Sequence, residues 1–313
     1  MKKLTRSETA QILLAHDHYA IVTHRRPDGD TLGSSALLCR GLRQLGKKAH
    51  ILANPEITPK YTHLHEGLTK AAAEAEDFVV TVDVASDNML PDCFKELTFD
   101  LRIDHHGSAT SFTPVELVEP GAAACGEIIY WVLMEMGAKL DVPMADALYT
   151  AVSTDTGCFR YANTTGDTFA VASACAKAGA QVFQINQALF ETNSLARLQV
   201  QSWMLQNARF LQNGKVAICP LPKAVEAQFG AGEDDLDNIS GFPRTIEGVK
   251  LAVTIREEGE NKVKMSVRAV PGQDAAALCA KFGGGGHKGA AGASMNMSMD
   301  EAVEAVIAAL PVI

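Results

Sequence analysis

Leu101-Arg102-Ile103-Asp104-His105-His106 decides how this chain is read. A short apolar run that stops on a carboxylate and two imidazoles has the form of a strand delivering ligands at its carboxyl end. Three other segments repeat the pattern. Tyr19 to Thr23 leads into His24-Arg25-Arg26-Pro27-Asp28-Gly29-Asp30, Asp77 to Val82 ends on Asp83, and Leu148 to Thr154 feeds Asp155-Thr156-Gly157. In an open α/β sheet, ligands bind in the crevice outside the carboxyl ends of the strands. The spacing therefore predicts one shared site.

Each motif also has a plainer use. Asp28, Asp83 and Asp155 could each cap a helix or turn, and the histidines could be ordinary polar residues at a strand end. Four such ends together are what capping does not explain. Pro27 and Gly29 shape a tight turn on which His24, Asp28 and Asp30 converge, and Gly33-Ser34-Ser35 at the following helix N-terminus favours an anion. Carboxylates crowded in one crevice repel one another by energies on the order of several kcal/mol unless cations neutralise them. Two divalent ions do so. Mixed His and carboxylate ligands without thiolate suit Mn²⁺ or Mg²⁺ better than a structural zinc. Paired ions about 3.5–4 Å apart support in-line attack on phosphorus. The residues alone point to phosphoester hydrolysis.

The 313 residues leave room for two domains, and 47% apolar with 21% charged residues is normal for a globular enzyme. No apolar run approaches the length that crosses a bilayer. The basic start Met1-Lys2-Lys3-Leu4-Thr5-Arg6 is followed by Ser7, Glu8 and Thr9, where a signal peptide needs an apolar stretch. Seven cysteines are scattered singly, Cys39, Cys175 and Cys279 among them in apolar surroundings, which suits a reducing, cytoplasmic compartment. A net charge of −9 argues against a protein that coats long duplex DNA, but not against a small anionic substrate met by metal ions and a few arginines.

The first two-thirds alternates in βα fashion. Strands are expected at 19–23, 49–53, 78–82, 99–103 and 115–118, and helices at 32–45, 61–76, 122–136, 143–154, 167–178 and 182–190. That alternation implies an α/β fold, a mostly parallel sheet flanked by helices on both faces. A long helix without Gly or Pro over 194–211 is expected to bridge domains. Beyond Asn213-Gly214 the chain changes character, with strands at 215–219, 249–255, 263–268 and near 292–297, and helices at 274–281 and 299–310. The division expected is a metal-binding domain over 1–190, a helical linker over 191–213 and a smaller mixed α/β domain over 214–313. The active site is expected in the cleft between the two.

Gly283-Gly284-Gly285-Gly286-His287-Lys288-Gly289-Ala290-Ala291-Gly292 has almost no side chains except two cations. Successive backbone N–H groups in such a loop form an anion-binding nest. A flexible linker would be Ser-rich and lie between domains, whereas this loop falls between a helix and a strand of one domain. Arg268, closing the strand Lys264-Met265-Ser266-Val267, can reach the same phosphate with a bidentate guanidinium.

With these motifs in order, the chain resembles the DHH phosphoesterases. His24 to Asp30, Val82-Asp83, Ile103-Asp104-His105-His106 and Thr154-Asp155-Thr156-Gly157 look like their four motifs, and Phe282 to Gly292 looks like the signature of their DHHA1 substrate domain. The short two-domain layout is most similar to the bacterial nano-RNase/pAp phosphatases. That resemblance implies hydrolysis of very short RNA to 5′-mononucleotides and removal of the 3′-phosphate of 3′-phosphoadenosine 5′-phosphate (pAp). It implies that His24, Asp28 and Asp83 hold one Mn²⁺ or Mg²⁺ ion, that Asp30, Asp83, His105 and Asp155 hold the other, and that Asp83 bridges. His106 would stabilise phosphoryl charge or assist the leaving oxygen, Asp104 would orient an imidazole, and Arg268, Gly284, Gly285, Gly286 and His287 would bind the substrate's phosphate. No membrane partner is implied, and the resemblance leaves a homodimer open.

The chain departs from the family at three places. Gly107-Ser108-Ala109-Thr110 stands where an Asn commonly follows the tripeptide. Ala124-Cys125 precedes Glu127 where Ser-Thr is usual, and Ala269 follows the motif Arg in place of Ser. None is a metal ligand, so they bear on substrate preference. A phosphodiesterase for pApA or cyclic di-AMP shares every motif and is the main alternative. A family II inorganic pyrophosphatase lacks the glycine-rich His loop, and a RecJ-type exonuclease carries extra modules. A non-catalytic RNA-binding module is expected to have lost a ligand, and none is missing. Cys158, three residues from Asp155, reads as a packing residue before a redox sensor.

Overall fold

The computed structural model describes residues 2–107 and 110–313; Ser108 and Ala109, in the stretch that departs from the family after His106, lie outside the described residues. The chain divides into two compact units, one ending at Thr192 and one beginning at Asn193.

The first unit is built on seven strands: β1 (Lys2–Lys3), β2 (His18–Val22), β3 (Lys48–Leu52), β4 (Thr69–Lys70), β5 (Phe78–Val82), β6 (Leu101–Asp104) and β7 (Val115–Val118). All pair in parallel, in the order β1-β7-β6-β5-β2-β3-β4. From β2 the chain steps outward to β3 and β4, then returns to the other side of β2 as β5. The strand order therefore reverses at β2/β5, where open α/β sheets hold ligands. Register aligns the strand ends: Val22 lies opposite Thr81, and Val82 opposite Ile103. His24, Asp83 and His105 consequently emerge along one edge.

One face of this sheet carries helices α1 (Arg6–Ala15), α2 (Gly29–Gln44), α3 (Cys125–Glu135) and α4 (Val142–Asp155), with α5 (Gly166–Lys177) and α6 (Val182–Asn186) packed outside them. Leu32, Leu37, Leu38 and Leu42 of α2 are fully buried against Ile21, Ile51, Val80 and the facing helices, each such burial stabilising by about 1.5–3 kcal/mol. α2, α3 and α4 approach unusually closely. A β-carbon on Gly33 would fall 2.4 Å from the Ala147 carbonyl, and one on Gly126 2.7 Å from Ala151 Cβ. Small residues at these crossings bring the N-termini of α2 and α3 and the C-terminus of α4 together.

Two expectations are corrected in this unit. Helices do not cover both faces: the second carries short 3₁₀ turns, Asp87–Met89 and Asp92–Phe94, and Leu90 and Phe94 cover Ala20, Val22 and Val79. Nor does a helix form over 61–76. A 3₁₀ turn, Pro59–His65, ends before Gly67 (φ 71°), and Thr69–Lys70 pairs with β3 as an edge strand. Ala71, Ala72 and Ala75 are exposed and only Ala73 packs, partly buried, against the core, so the alanine-rich stretch buries too little to form a helix, and propensity alone does not hold a short one.

The second unit contains α7 (Leu195–Gln206), β8 (Arg209–Leu211), β9 (Val216–Leu221), α8 (Lys223–Phe229), α9 (Glu233–Leu236), β10 (Leu251–Gly259), β11 (Lys262–Ala269), α10 (Ala275–Ala280), β12 (Gly285–Gly286), β13 (Ala290–Met295) and α11 (Met299–Ala309). Its six-stranded sheet runs β12-β13-β11-β10-β9-β8 and is mixed: β9 and β10 are parallel and the other pairs antiparallel. The helix expected over 194–211 stops at Gln206, where Asn207 caps it on the Trp203 carbonyl, and Arg209–Leu211 becomes a strand against β9. Val200 and Met204 are buried with Cys219, Leu221 and Val225, so α7 packs within this unit. α8, α9 and a 3₁₀ turn at Ile239–Thr245 fill a stretch in which no periodic pattern marks an element.

Candidate metal centre

Six of the expected ligands converge in the first unit. One ligand atom each from His24, Asp28 and Asp83 lies within 4.8 Å of the others, and the same holds for Asp30, His105 and Asp155. Asp83 joins the two groups. Its Oδ2 is 3.7 Å from His24 Nε2, while its Oδ1 is 3.5 Å from His105 Nε2. His105 Nε2 is also 3.6 Å from Asp30 Oδ2 and 3.4 Å from Asp155 Oδ2.

The backbone and neighbours fix each group. His24 Nδ1 meets the Arg25 carbonyl at 2.7 Å and His105 Nδ1 the Ala122 carbonyl at 3.2 Å, so both rings present Nε2 to the carboxylates. A carbonyl on one ring nitrogen is the usual device for orienting a ligating histidine. Asp30, in the first turn of α2, is fully buried against the N-terminus of α3, accepting from the N–H groups of Cys125 (2.7 Å) and Gly126 (3.0 Å) and from Ser34 Oγ (2.8 Å). Asp28 caps α2 by accepting from Thr31 N–H at 3.0 Å. Asp83 has a left-handed backbone (φ 58°), uncommon outside glycine and a mark of functional sites. Thr31 Oγ1 donates to its Oδ2 at 2.5 Å. Asp104 Oδ1 takes the N–H groups of His105 (2.8 Å) and His106 (3.2 Å) and meets His106 Nδ1 at 2.8 Å, so the imidazole it orients is His106.

Charge is poorly compensated without a cation. Asp83 Oδ1 is buried and has no hydrogen-bond partner among the described residues, an arrangement that costs free energy unless a positive ligand meets it. Burial, with Asp83 and Asp155 adding, pushes Asp30 well above the usual carboxylate range. Burial, reinforced by Asp83, outweighs His105 and raises Asp155 to about 7. Burial opposes charge on the imidazoles too, yet Asp83 and its neighbours raise His24 to about 9 and His105 to about 11. Burial also works against charge on Asp83, but His105 and His24 overcome it and hold that carboxylate below its ordinary range. A divalent cation at this site would displace these protons on binding. The oxygen and imidazole donor set fits hard divalent ions.

Some contributors carry no sequence signal. Asn54 Nδ2 donates to Thr23 Oγ1 and to the His24 carbonyl, and Asn163 Nδ2 donates to the carbonyls of Ala123 and Asp155. Of the Ser34-Ser35 pair, only Ser34 serves the cage; Ser35 meets His65 at 2.8 Å. Behind β6, Arg102 is buried against Glu116 (2.5 Å) and donates to the Thr110 carbonyl (2.8 Å), bracing the loop after His106.

In the second unit, strand register sets Arg268 opposite Ala290, whose carbonyl accepts His287 N–H at 2.8 Å. The glycine run is a tight hairpin more than an open nest. Gly283 (φ 73°) stops α10, and the amides of Gly283, Gly284 and His287 are used internally. A β-carbon on Gly284 would fall 2.2 Å from the Gly292 carbonyl, and one on Gly286 2.7 Å from that of Ala290, whereas Gly285 faces open space.

Comparison with known proteins agrees with this layout. Residues 18–152 match the model of the DHH family N-terminal domain, and residues 213–311 match that of the DHHA1 domain. The bifunctional oligoribonuclease and PAP phosphatase NrnA of Thermus thermophilus is 33% identical over 93% of this chain and 88% of its own. The protein of the same name from Bacillus subtilis is 26% identical over 95% of both. A solved exopolyphosphatase-related protein from Bacteroides fragilis superimposes with a TM-score of 0.85 at 24% identity, covering 97% of this chain and 94% of that one, and so shares the fold. With both domain models matched in order and a relative of one-third identity along nearly its whole length, the chain belongs to the DHH–DHHA1 family of phosphoesterases.

Proposed function

We propose that this chain is a two-metal phosphodiesterase and phosphatase that cuts RNA of a few nucleotides to 5′-mononucleotides and removes the 3′-phosphate of pAp. The observation that carries the reading is Asp83, whose two oxygens face two separate His–carboxylate groups. The names of the relatives supply the substrate class. His24, Asp28 and Asp83 hold one divalent ion, and Asp30, Asp83, His105 and Asp155 the other, Mn²⁺ in our reading. When bound, such a pair activates water and neutralises phosphoryl charge.

The remaining work falls to the chain. Both substrates lose the same bond, phosphorus to the 3′-oxygen: water oxygen joins phosphorus, and the 3′-oxygen leaves and takes a proton. His106, held through Nδ1 by Asp104, keeps Nε2 for that proton, and its hydrogen bond to Asp104 raises its pKa toward the charged form. In this reading Arg268, Gly284, Gly285, Gly286 and His287 bind the substrate's phosphate, with the unencumbered side of Gly285 as the closest approach. Seven unpaired cysteines favour the cytoplasm, and no helix among the described residues is long and apolar enough to cross a membrane.

The test is product analysis on 5′-labelled RNA of two to seven nucleotides, pAp, pApA and cyclic di-AMP, with Mn²⁺, Mg²⁺ or excess EDTA. The shortest RNAs should yield 5′-mononucleotides, pAp should yield AMP and phosphate, and EDTA should stop both. Faster turnover of cyclic di-AMP than of either, or hydrolysis that survives EDTA, contradicts the proposal.

A further inference from the structure

Glu127, in the first turn of α3, is a buried carboxylate that the proposed reaction does not use; it is only 2% exposed. A carboxylate in such a place costs free energy unless hydrogen bonds meet it. Thr168 Oγ1, in the first turn of α5, donates to its Oε2 at 3.1 Å. Burial raises the Glu127 pKa, while Thr168 and the backbone N–H of Ala123 pull it the other way. Glu127 thus reaches back past the start of α3 and holds the stretch before it, much as the glutamate of a capping box does. Ala124, at the cap position, offers α3 no side-chain bond.

That stretch is where one group of ligands converges. The Ala122 carbonyl meets His105 Nδ1 at 3.2 Å. The Ala123 carbonyl accepts from Asn163 Nδ2 at 3.1 Å, and the same amide donates to the Asp155 carbonyl at 3.2 Å. The N–H groups of Cys125 and Gly126 go to Asp30, so a carboxylate from α2 satisfies the open donors of α3 in place of a cap. Asp30, His105 and Asp155 come from three distant parts of the chain, yet all three are referred to residues 122–126. His24 and Asp28 are held elsewhere, by the Arg25 carbonyl and the Thr31 N–H.

Resting on the two-metal reading above, we propose that Glu127 is a positioning residue for one ion only, the one that Asp30, His105 and Asp155 share with Asp83. It fixes residues 122–126, and these fix the three ligands. The ion on His24 and Asp28 does not depend on it.

Mn²⁺ titration of the full-length protein by calorimetry separates this role from general support of the fold. Glu127→Gln keeps the volume but turns one acceptor oxygen into a donor. It should weaken one Mn²⁺ by about 10- to 100-fold and leave the other unchanged. Added to Asp28→Ala, which removes the other ion, it should leave no tightly bound Mn²⁺. Asn163→Ala, which cuts the tie between Ala123 and Asp155, should weaken the same ion. Leu133→Ala, a core truncation further along α3, should lower the melting temperature and leave both affinities as in wild type. Equal weakening of both ions in Glu127→Gln, weakening of neither, or the same selective loss in Leu133→Ala overturns the assignment. A wild type that takes up a single Mn²⁺ overturns it together with the two-metal reading. Selective loss of one ion in a protein that cleaves neither RNA nor pAp leaves Glu127 in its role and removes the proposed reaction.

Discussion

Metal loading should expel protons, and the cage states how many. Without a cation, His105 titrates at about 11, His24 at about 9 and Asp155 at about 7. At pH 8 both imidazoles therefore hold their protons and Asp155 has mostly lost its own. Ligation needs neutral imidazole and ionised carboxylate, so filling both positions at pH 8 releases at least about two protons per chain. At pH 6 Asp155 is protonated as well and adds about one, and Asp30, raised by burial, adds to the count. Affinity therefore falls as pH falls, and two to three protons exchanged weaken overall loading by roughly 100- to 1,000-fold per pH unit. Mn²⁺ titration by calorimetry in buffers of different ionisation enthalpy measures the number directly. Saturation with less than one proton released at pH 8 would refute this reasoning, because the imidazoles would not then be the displaced groups.

Further substitutions probe other parts. Asp83→Ala should lower Mn²⁺-dependent turnover by about 10³-fold or more while circular dichroism and the melting profile stay native; wild-type release of mononucleotides would sink the assignment. Arg102→Met strands the buried Glu116 and should cost about 3–5 kcal/mol in urea unfolding, most of it recovered in Arg102→Met/Glu116→Leu. A loss that persists in the double variant would contradict that pairing. Gly284→Ala should destabilise the protein by about 1–3 kcal/mol, since its β-carbon meets the Gly292 carbonyl, whereas Gly285→Ala should fold within about 0.5 kcal/mol of wild type and lose phosphate affinity. Equal melting of the two glycine variants would contradict the hairpin packing.

The candidate ligand set is legible in the sequence because parallel strands flanked by helices impose it. A buried parallel strand is a short apolar run, and the residues just past its carboxyl end face the crevice, so His24, Asp83 and His105 can be read from position alone. Asp30 and Asp155 need more, since helix packing across Gly33, Ala151 and Gly126 brings them in, and that closeness has no local signature. The supports Asn54, Thr31 and Asn163 act across long sequence separations and leave no pattern. Sequence and structure part where tertiary context overrides propensity. Residues 71–76 have good helix formers but bury little beyond Ala73, and residues 209–211 continue a helical pattern yet find an open edge of β9. The glycine run reads as a loop because glycine carries no period, and only the fold sets Gly284 and Gly286 against β13.

The most direct measurement is anomalous diffraction at the manganese edge from crystals grown with Mn²⁺. Two peaks about 3.5–4 Å apart should flank the Asp83 carboxylate, one also touching His24 and Asp28, the other Asp30, His105 and Asp155. A single peak, or a pair that leaves Asp83 outside, would contradict the account.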